Sequence, residues 1–252
     1  ARRNSPLVVG LGEGGNFLAS DVSAFVEHTR SALELGQDQI VIMKADSVVV
    51  TDFSGNVVEA KPFTIDWDAS SAEKGGFEWF MQKEISEQPK AVADSLLGRI
   101  DESYRIKLDE LSIDPVLLQH INKVIVVACG TAAYAGMVAK YAIEHWTHLP
   151  VDVELASEFR YRDPIVGPDS LVIAISQSGE TMDTLMALRY AKTQGALTLA
   201  ICNTVGSTIP RESDAVIYTY AGPEIAVAST KAFLTQITAT YLVGLFLAQV
   251  RG

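Results

Sequence analysis

Apolar residues recur along this chain in two rhythms, and the change between them divides it. From Pro6 to about Phe63 the runs are short and β-like: Leu7-Val8-Val9-Gly10, Gln39 to Met43, Val48-Val49-Val50 and Val57-Val58. The last two flank Ser54-Gly55-Asn56, which predicts a hairpin with a Gly-containing turn. Between the first two runs, Val22, Phe25, Val26, Thr29 and Leu33 fall at helical spacing behind a Ser20-Asp21 cap, predicting a helix within Ser20 to Leu35. Leu11-Gly12-Glu13-Gly14-Gly15 reads as a turn. Such a strand, helix and hairpin unit is too small for a core of its own.

From Lys123 onward the rhythm changes. Unbroken apolar strands at Val124 to Ala128, Leu171 to Ile175, Leu197 to Ile201 and Ala215 to Tyr220, with a short one at Val151 to Leu155, alternate with helical patterns at Tyr134 to Trp146, Thr181 to Lys192 and Ser229 to Val250. Strands apolar on both sides must be covered on both faces, which predicts an α/β fold with a doubly wound parallel sheet. Asp66 to Gly76 is polar and reads as a connector; Phe80 to Leu97 and Pro115 to Ile121 are helix-like, with Pro89 as a break or the first turn of a second helix. The expected divisions are 1–66, 67–122 for linker and leading helices, and 123–252.

Charge and cysteine usage narrow the function. A net charge of −11 without a basic cluster argues against nucleic acid. Cys129 and Cys202, each ending an apolar run, give no disulfide framework and fit a reducing, cytoplasmic setting. The apolar stretch from Thr238 to Val250 is broken by polar residues and reads as a core helix, so no membrane partner is expected. The chain opens on Ala1-Arg2-Arg3 without an initiator Met and stops straight after a helix, as expected of a piece of a longer protein.

In an open parallel sheet, ligands bind beyond the carboxyl ends of the strands. Three junctions there carry small hydroxylated residues: Cys129-Gly130-Thr131-Ala132, Ser176-Gln177-Ser178-Gly179-Glu180-Thr181, and Glu224 to Lys231. The second has the clearest chemistry. A helix N-terminus exposes unpaired N–H groups and about half a positive charge; Ser176, Ser178 and Thr181 add hydroxyl donors, and Gly179 allows close backbone approach. One such hydroxyl alone would read as an N-cap, but the cluster after an apolar strand reads as a phosphate cradle. Gln177 suits a sugar hydroxyl. The missing Gly-Lys-Ser/Thr excludes a P-loop, and no Gly-x-Gly-x-x-Gly follows a strand here. Lys231 either reaches the ligand or solvates the start of its helix. His28, His120, His145 and His148 lack metal-ligand spacing, and Cys129, without a nearby His partner, reads as a structural thiol.

Taken together, Ser176 to Thr181, Cys129-Gly130-Thr131 and Glu224 to Phe233 resemble the first sugar-isomerase (SIS) domain of the glucosamine-6-phosphate synthase family. Met81 to Ile85 with Glu87-Gln88-Pro89, Ala156 to Arg162, and Arg211 to Asp214 extend the resemblance over nearly the whole chain. It implies a SIS fold preceded by the end of an Ntn-type glutaminase domain, and an enzyme converting fructose 6-phosphate and glutamine to glucosamine 6-phosphate without metal or cofactor. It also implies a homodimer formed through the SIS region. The substrate contacts implied are Thr131, Ser176, Gln177, Ser178 and Thr181, with Val227 and Ser229 on the sugar side; Ala132, Gly179 and Lys231 are further candidates. Ala132 stands where many relatives have Ser. The family's glutaminase nucleophile and its isomerising residues would lie outside these 252 residues, so the expectation is a sugar-phosphate binder with no catalytic residue of its own. A stand-alone sugar-phosphate sensor and a simple isomerase are the alternatives; the latter would need Glu180 as base.

Overall fold

The computed structural model describes residues 1–3, 7–65 and 74–252, so most of the expected connector at Asp66 to Gly76 lies outside the described residues. The chain separates into two units, Ala1–Gly75 and Gly76–Gly252.

In the first unit, β1 (Val8–Gly12), β2 (Gly15–Ala19), β3 (Ser31–Glu34) and β6 (Lys61–Thr64) form an antiparallel sheet in the order β2-β1-β3-β6, while β4 (Gln39–Met43) and β5 (Val48–Asp52) pair separately. The predicted turn at Leu11 to Gly15 joins β1 to β2, with Gly12 opposite Gly15. The helix expected over Ser20 to Leu35 is absent. One 3₁₀ turn at Val22–Ala24 is followed by β3, and Phe25 and Val26 are buried with Ala32 and Ile65. Apolar spacing over so short a stretch fits a turn and a strand as well as a helix, and β3 gains two strand partners by extending. The hairpin expected between Val48 and Val58 is present in short form: the Asp52 N–H donates to the Asn56 carbonyl and the Val58 N–H to the Val50 carbonyl, each at 2.9 Å, with Val57 bridged to Thr51. What the sequence did not show is that Val48–Asp52 also pairs along its length with β4. β6 escapes sequence reading because Pro62 interrupts it, which an edge strand tolerates.

In the second unit, β7 (Lys123–Ala128), β8 (Val151–Leu155), β9 (Ser170–Ser176), β10 (Leu197–Cys202) and β11 (Ala215–Tyr218) form an all-parallel sheet in the order β11-β10-β9-β7-β8. Alternate side chains show why the strands read as continuous apolar runs. Val124, Val126, Leu171, Ile173, Leu199 and Ile201 pack with Ala139 and Ile143 of α3 (Gly130–Thr147) and Leu242 and Val243 of α7 (Lys231–Arg251). Their neighbours Ile125, Val127, Val172, Ala174 and Ala200 pack on the opposite face. There they meet Phe159 of α4 (Ala156–Phe159), Leu185 and Leu188 of α5 (Met182–Thr193), and Ile209 of α6 (Thr208–Glu212). The doubly wound sheet is therefore present. Truncating one of these fully buried leucines to alanine would cost about 2–5 kcal/mol.

The leading helices belong to this unit. α1 (Phe80–Leu96) runs without a break through Pro89, against the expected interruption. Buried Ser95 and Arg99 tie its end to the sheet edge: Ser95 Oγ donates to the Thr219 carbonyl, and Arg99 donates to the carbonyls of Ser95 at 2.9 Å and Tyr218 at 2.6 Å. α2 (Pro115–His120) starts with Pro115 behind Asp114, whose carboxylate accepts from the Val116 N–H at 2.8 Å. α7 is long and apolar enough by composition to cross a membrane, more so than its sequence suggested. Here it is laid against α3 so closely that a Cβ on Gly244 would come within 2.9 Å of Ile143.

Candidate functional site

Strand order places the site. From β7 the chain crosses through α3 on one face to β8, then returns to the other side of β7 as β9 and leaves through α5 on the opposite face. The carboxyl ends of β7 and β9 therefore flank a topological switch point, where two loops diverge and leave a crevice. A cavity of about 150 Å³ lies there, lined by Cys129, Thr131, Ala132, Ile175, Ser176, Gln177, Ser178, Thr181, Ser229 and Gln236. A larger, more open depression of about 440 Å³ beside β8 is lined by Asp152, Glu154 and Glu158 with Lys140 and Arg162, and Arg162 is already paired with Glu154. Its excess of carboxylates makes it a poor place for an anion.

The Ser176–Thr181 loop folds on its own hydroxyls. Ser176 Oγ, at the buried end of β9, accepts from the Gly179 N–H at 3.0 Å and lies 2.9 Å from Thr181 Oγ1; Ser178 Oγ accepts from the Glu180 N–H at 3.2 Å. With their acceptor sides engaged, Ser178 and at least one hydroxyl of the Ser176–Thr181 pair retain an O–H to donate. Thr181 is the N-cap of α5 yet makes no side-chain capping bond, as is also true of Cys129 at the start of α3. Two helix starts thus face the cavity without an N-cap side chain to quench them.

Gly179 has a different role from the one expected. Its N–H is spent on Ser176, and its carbonyl accepts from the Ile209 N–H at 2.9 Å. The residue sits at φ +66°, and a Cβ there would lie 1.9 Å from Ser207 Oγ and 2.8 Å from Ser207 Cβ. Glycine is required to pack the loop against α6, rather than to admit a ligand. Glu180 also turns away: its Oε1 accepts from Thr208 N at 2.8 Å and Thr208 Oγ1 at 2.9 Å, so it closes the start of α6 instead of serving as a base.

The loop before α7 departs most from expectation. Glu224 Oε1 accepts from the N–H groups of Thr230 at 2.7 Å and Ala232 at 3.2 Å, and its Oε2 accepts from Ser229 Oγ at 2.9 Å. The α7 N-terminus already holds an internal anion. Buried Glu84 of α1 supports the same loop, its Oε1 accepting from Ile225 N at 2.6 Å and Ala226 N at 3.2 Å. Lys231 fits neither expected role: it is 3% exposed, and its Nζ donates to Glu87 Oε2 at 2.6 Å. Partial burial pushes the Glu87 carboxyl up, but the hydrogen bond and charge of Lys231, helped by Lys83, outweigh that and hold it below its ordinary value. Val227 is fully exposed and does not line the cavity, whereas Ser229 does.

The cavity thus gathers Thr131, Ala132, Ser176, Gln177, Ser178, Thr181 and Ser229, and leaves out Val227, Gly179 and Lys231. Sequence reading missed Gln236 and took half-buried Cys129 for a purely structural thiol, although it lines the cavity. Cys202 is fully buried, and that burial pushes its thiol far up. Nothing local singled out Gln236, since Thr235, Thr238, Thr240 and Gln249 are also polar positions of the same helix. Among the described residues, no group of three or more His, Cys, Asp or Glu side chains could hold a metal ion.

Comparison with known proteins converges on this fold. Residues 117–245 match the SIS domain family. Over all 252 residues the chain is 68% identical to the glutamine–fructose-6-phosphate aminotransferase (isomerizing) of Corynebacterium efficiens and 69% identical to that of Streptomyces coelicolor. It spans about 40% of the length of these relatives. Among solved structures, the C-terminal domain of the glucosamine-fructose-6-phosphate aminotransferase from Francisella tularensis superposes with a TM-score of 0.68 at 45% identity, covering 71% of this chain and 50% of that one.

Proposed function

The chain belongs to the SIS domain family, and on that premise we propose that its cavity anchors the phosphate of fructose 6-phosphate or glucosamine 6-phosphate. The reaction it serves is amino transfer from glutamine to fructose 6-phosphate, the reaction its relatives are named for. One observation carries this reading: at the switch point of the sheet, two helix starts and the hydroxyls of Thr131, Ser176, Ser178 and Thr181 converge on one small cavity. A volume of about 150 Å³ suits a phosphate group rather than a whole hexose phosphate. The sugar then extends past Ser229. That hydroxyl donates to Glu224, so toward the ligand it accepts, and a sugar hydroxyl can donate to it.

Binding, not bond-making, is the role assigned to these residues. Among the described residues no carboxylate or histidine lines the cavity, and isomerisation needs a base next to the carbonyl. The 252-residue chain on its own is therefore proposed to bind the sugar phosphate without forming glucosamine 6-phosphate. Along with this reading go a glutaminase-type origin for the first unit, a homodimer through the SIS region and a cytoplasmic setting.

Calorimetric titration of the 252-residue chain with fructose 6-phosphate tests the proposal. Hydrogen bonds to a charged group are worth about 1.5–3 kcal/mol. Thr181→Val and Ser176→Ala should therefore each weaken binding by roughly ten-fold or more. Absence of binding by the unaltered chain, or unchanged binding in both variants, would overturn it.

A further inference from the structure

Gln236 is 2% exposed and lines the cavity, yet its Oε1 has no hydrogen-bond partner. Among the described residues it is the only cavity-lining side chain with a buried polar atom left unpaired. A buried carboxamide oxygen without a partner is unfavourable, and such groups persist where a ligand or bound water completes them. The place in the fold supplies the reason here. At the N-terminus of α7, Glu224 already takes the N–H groups of Thr230 and Ala232, so this helix start is less open to an external anion than those of α3 and α5. What α7 does bring to the cavity is a side chain, Gln236 on its second turn. Of the other lining residues, Ala132 and Ile175 provide no hydrogen-bonding side chain.

Resting on the phosphate-site reading above, we infer that Gln236 is a further binding residue of the cavity, its carboxamide donating to a phosphate oxygen of the ligand. The amide needs only a half turn about its last bond to present Nε2–H in place of Oε1. The donor is neutral, like the lining hydroxyls, so the site holds a phosphate by converging dipoles, with no cation lining it among the described residues.

The test is calorimetric titration of the 252-residue chain and its Gln236→Leu variant with inorganic phosphate, fructose 6-phosphate and unphosphorylated fructose. The expected result is a roughly ten-fold loss for inorganic phosphate and a similar loss for fructose 6-phosphate, with circular dichroism unchanged. A folded Gln236→Leu chain that binds both phosphates within about two-fold of the unaltered protein would sink this inference while leaving the site reading intact. Loss confined to fructose 6-phosphate would also overturn it, by moving Gln236 to a sugar hydroxyl. If neither phosphate binds the unaltered chain, the site reading fails and the inference fails with it. Should Gln236→Leu not fold, the side-chain amide resonances of Gln236 in the unaltered chain decide: they must shift as inorganic phosphate is added, and resonances that stay in place refute the assignment.

Discussion

The starts of α5 and α7 are built from similar residues and do opposite things. Each follows a strand, each loop carries serine, threonine and one glutamate, and each contributes to the same cavity. At α7, Glu224 turns inward and takes the N–H groups of Thr230 and Ala232. At α5, Glu180 turns outward onto Thr208 of α6, and the Thr181 side chain makes no cap. A helix N-terminus attracts an external anion only where no internal carboxylate has taken the place. Which way one glutamate points decides that.

The α5 start is most sensitive at Gly179. A methyl group there meets Ser207 and must adopt φ +66°, so Gly179→Ala should cost about 2–4 kcal/mol from combined backbone strain and overpacking. For a unit of this size that lowers the melting temperature by roughly 5–15 °C. Calorimetry of the variant checks this; a change within about 1 °C would mean that the loop is not pinned on α6.

Glu224→Ala comes next. Loss of this cap should cost about 1–2 kcal/mol. It should also open α7, so that added sulfate raises the melting temperature of the variant more than that of the unaltered chain. Equal response to sulfate would show that the carboxylate is not what keeps anions from this helix.

The smallest effect concerns the ion pair behind the loop. Because the folded state lowers the Glu87 carboxyl below its ordinary 4.5, the stabilisation is fully present above that value and is lost as pH falls through the lowered folded value. Glu87 is about one-third exposed, so solvent screening keeps the contribution under about 1 kcal/mol. Thermal melts between pH 6 and pH 3 should show Glu87→Gln less stable than the unaltered chain at pH 6, with the gap narrowing below pH 4.5. A gap constant across the range would remove the charge of Glu87 from the explanation.

The two units were unequally legible. In the second, the unbroken apolar runs at Val124 to Ala128, Leu171 to Ile175 and Leu197 to Ile201 became strands of the parallel sheet, because a strand buried on both faces cannot be mistaken for an amphipathic one. In the first, antiparallel strands are half exposed and short, and Val22 to Leu33 satisfied a helical spacing that sheet pairing overrode. The cradle residues were legible because they follow directly on apolar strands. Gln236 was not, since its distance from them in the chain gives no hint that α7 crosses beneath.

What the sequence determined by itself was local: apolar periods that choose strand or helix, and hydroxyls clustered at strand ends. Strand order, the switch point between β7 and β9, the inward turn of Glu224, the outward turn of Glu180 and the burial of Lys231 on Glu87 came only with the tertiary structure. The reason is physical. Backbone preference acts over a few residues, whereas the partner of a polar side chain is set by which elements the packed sheet brings within hydrogen-bond reach.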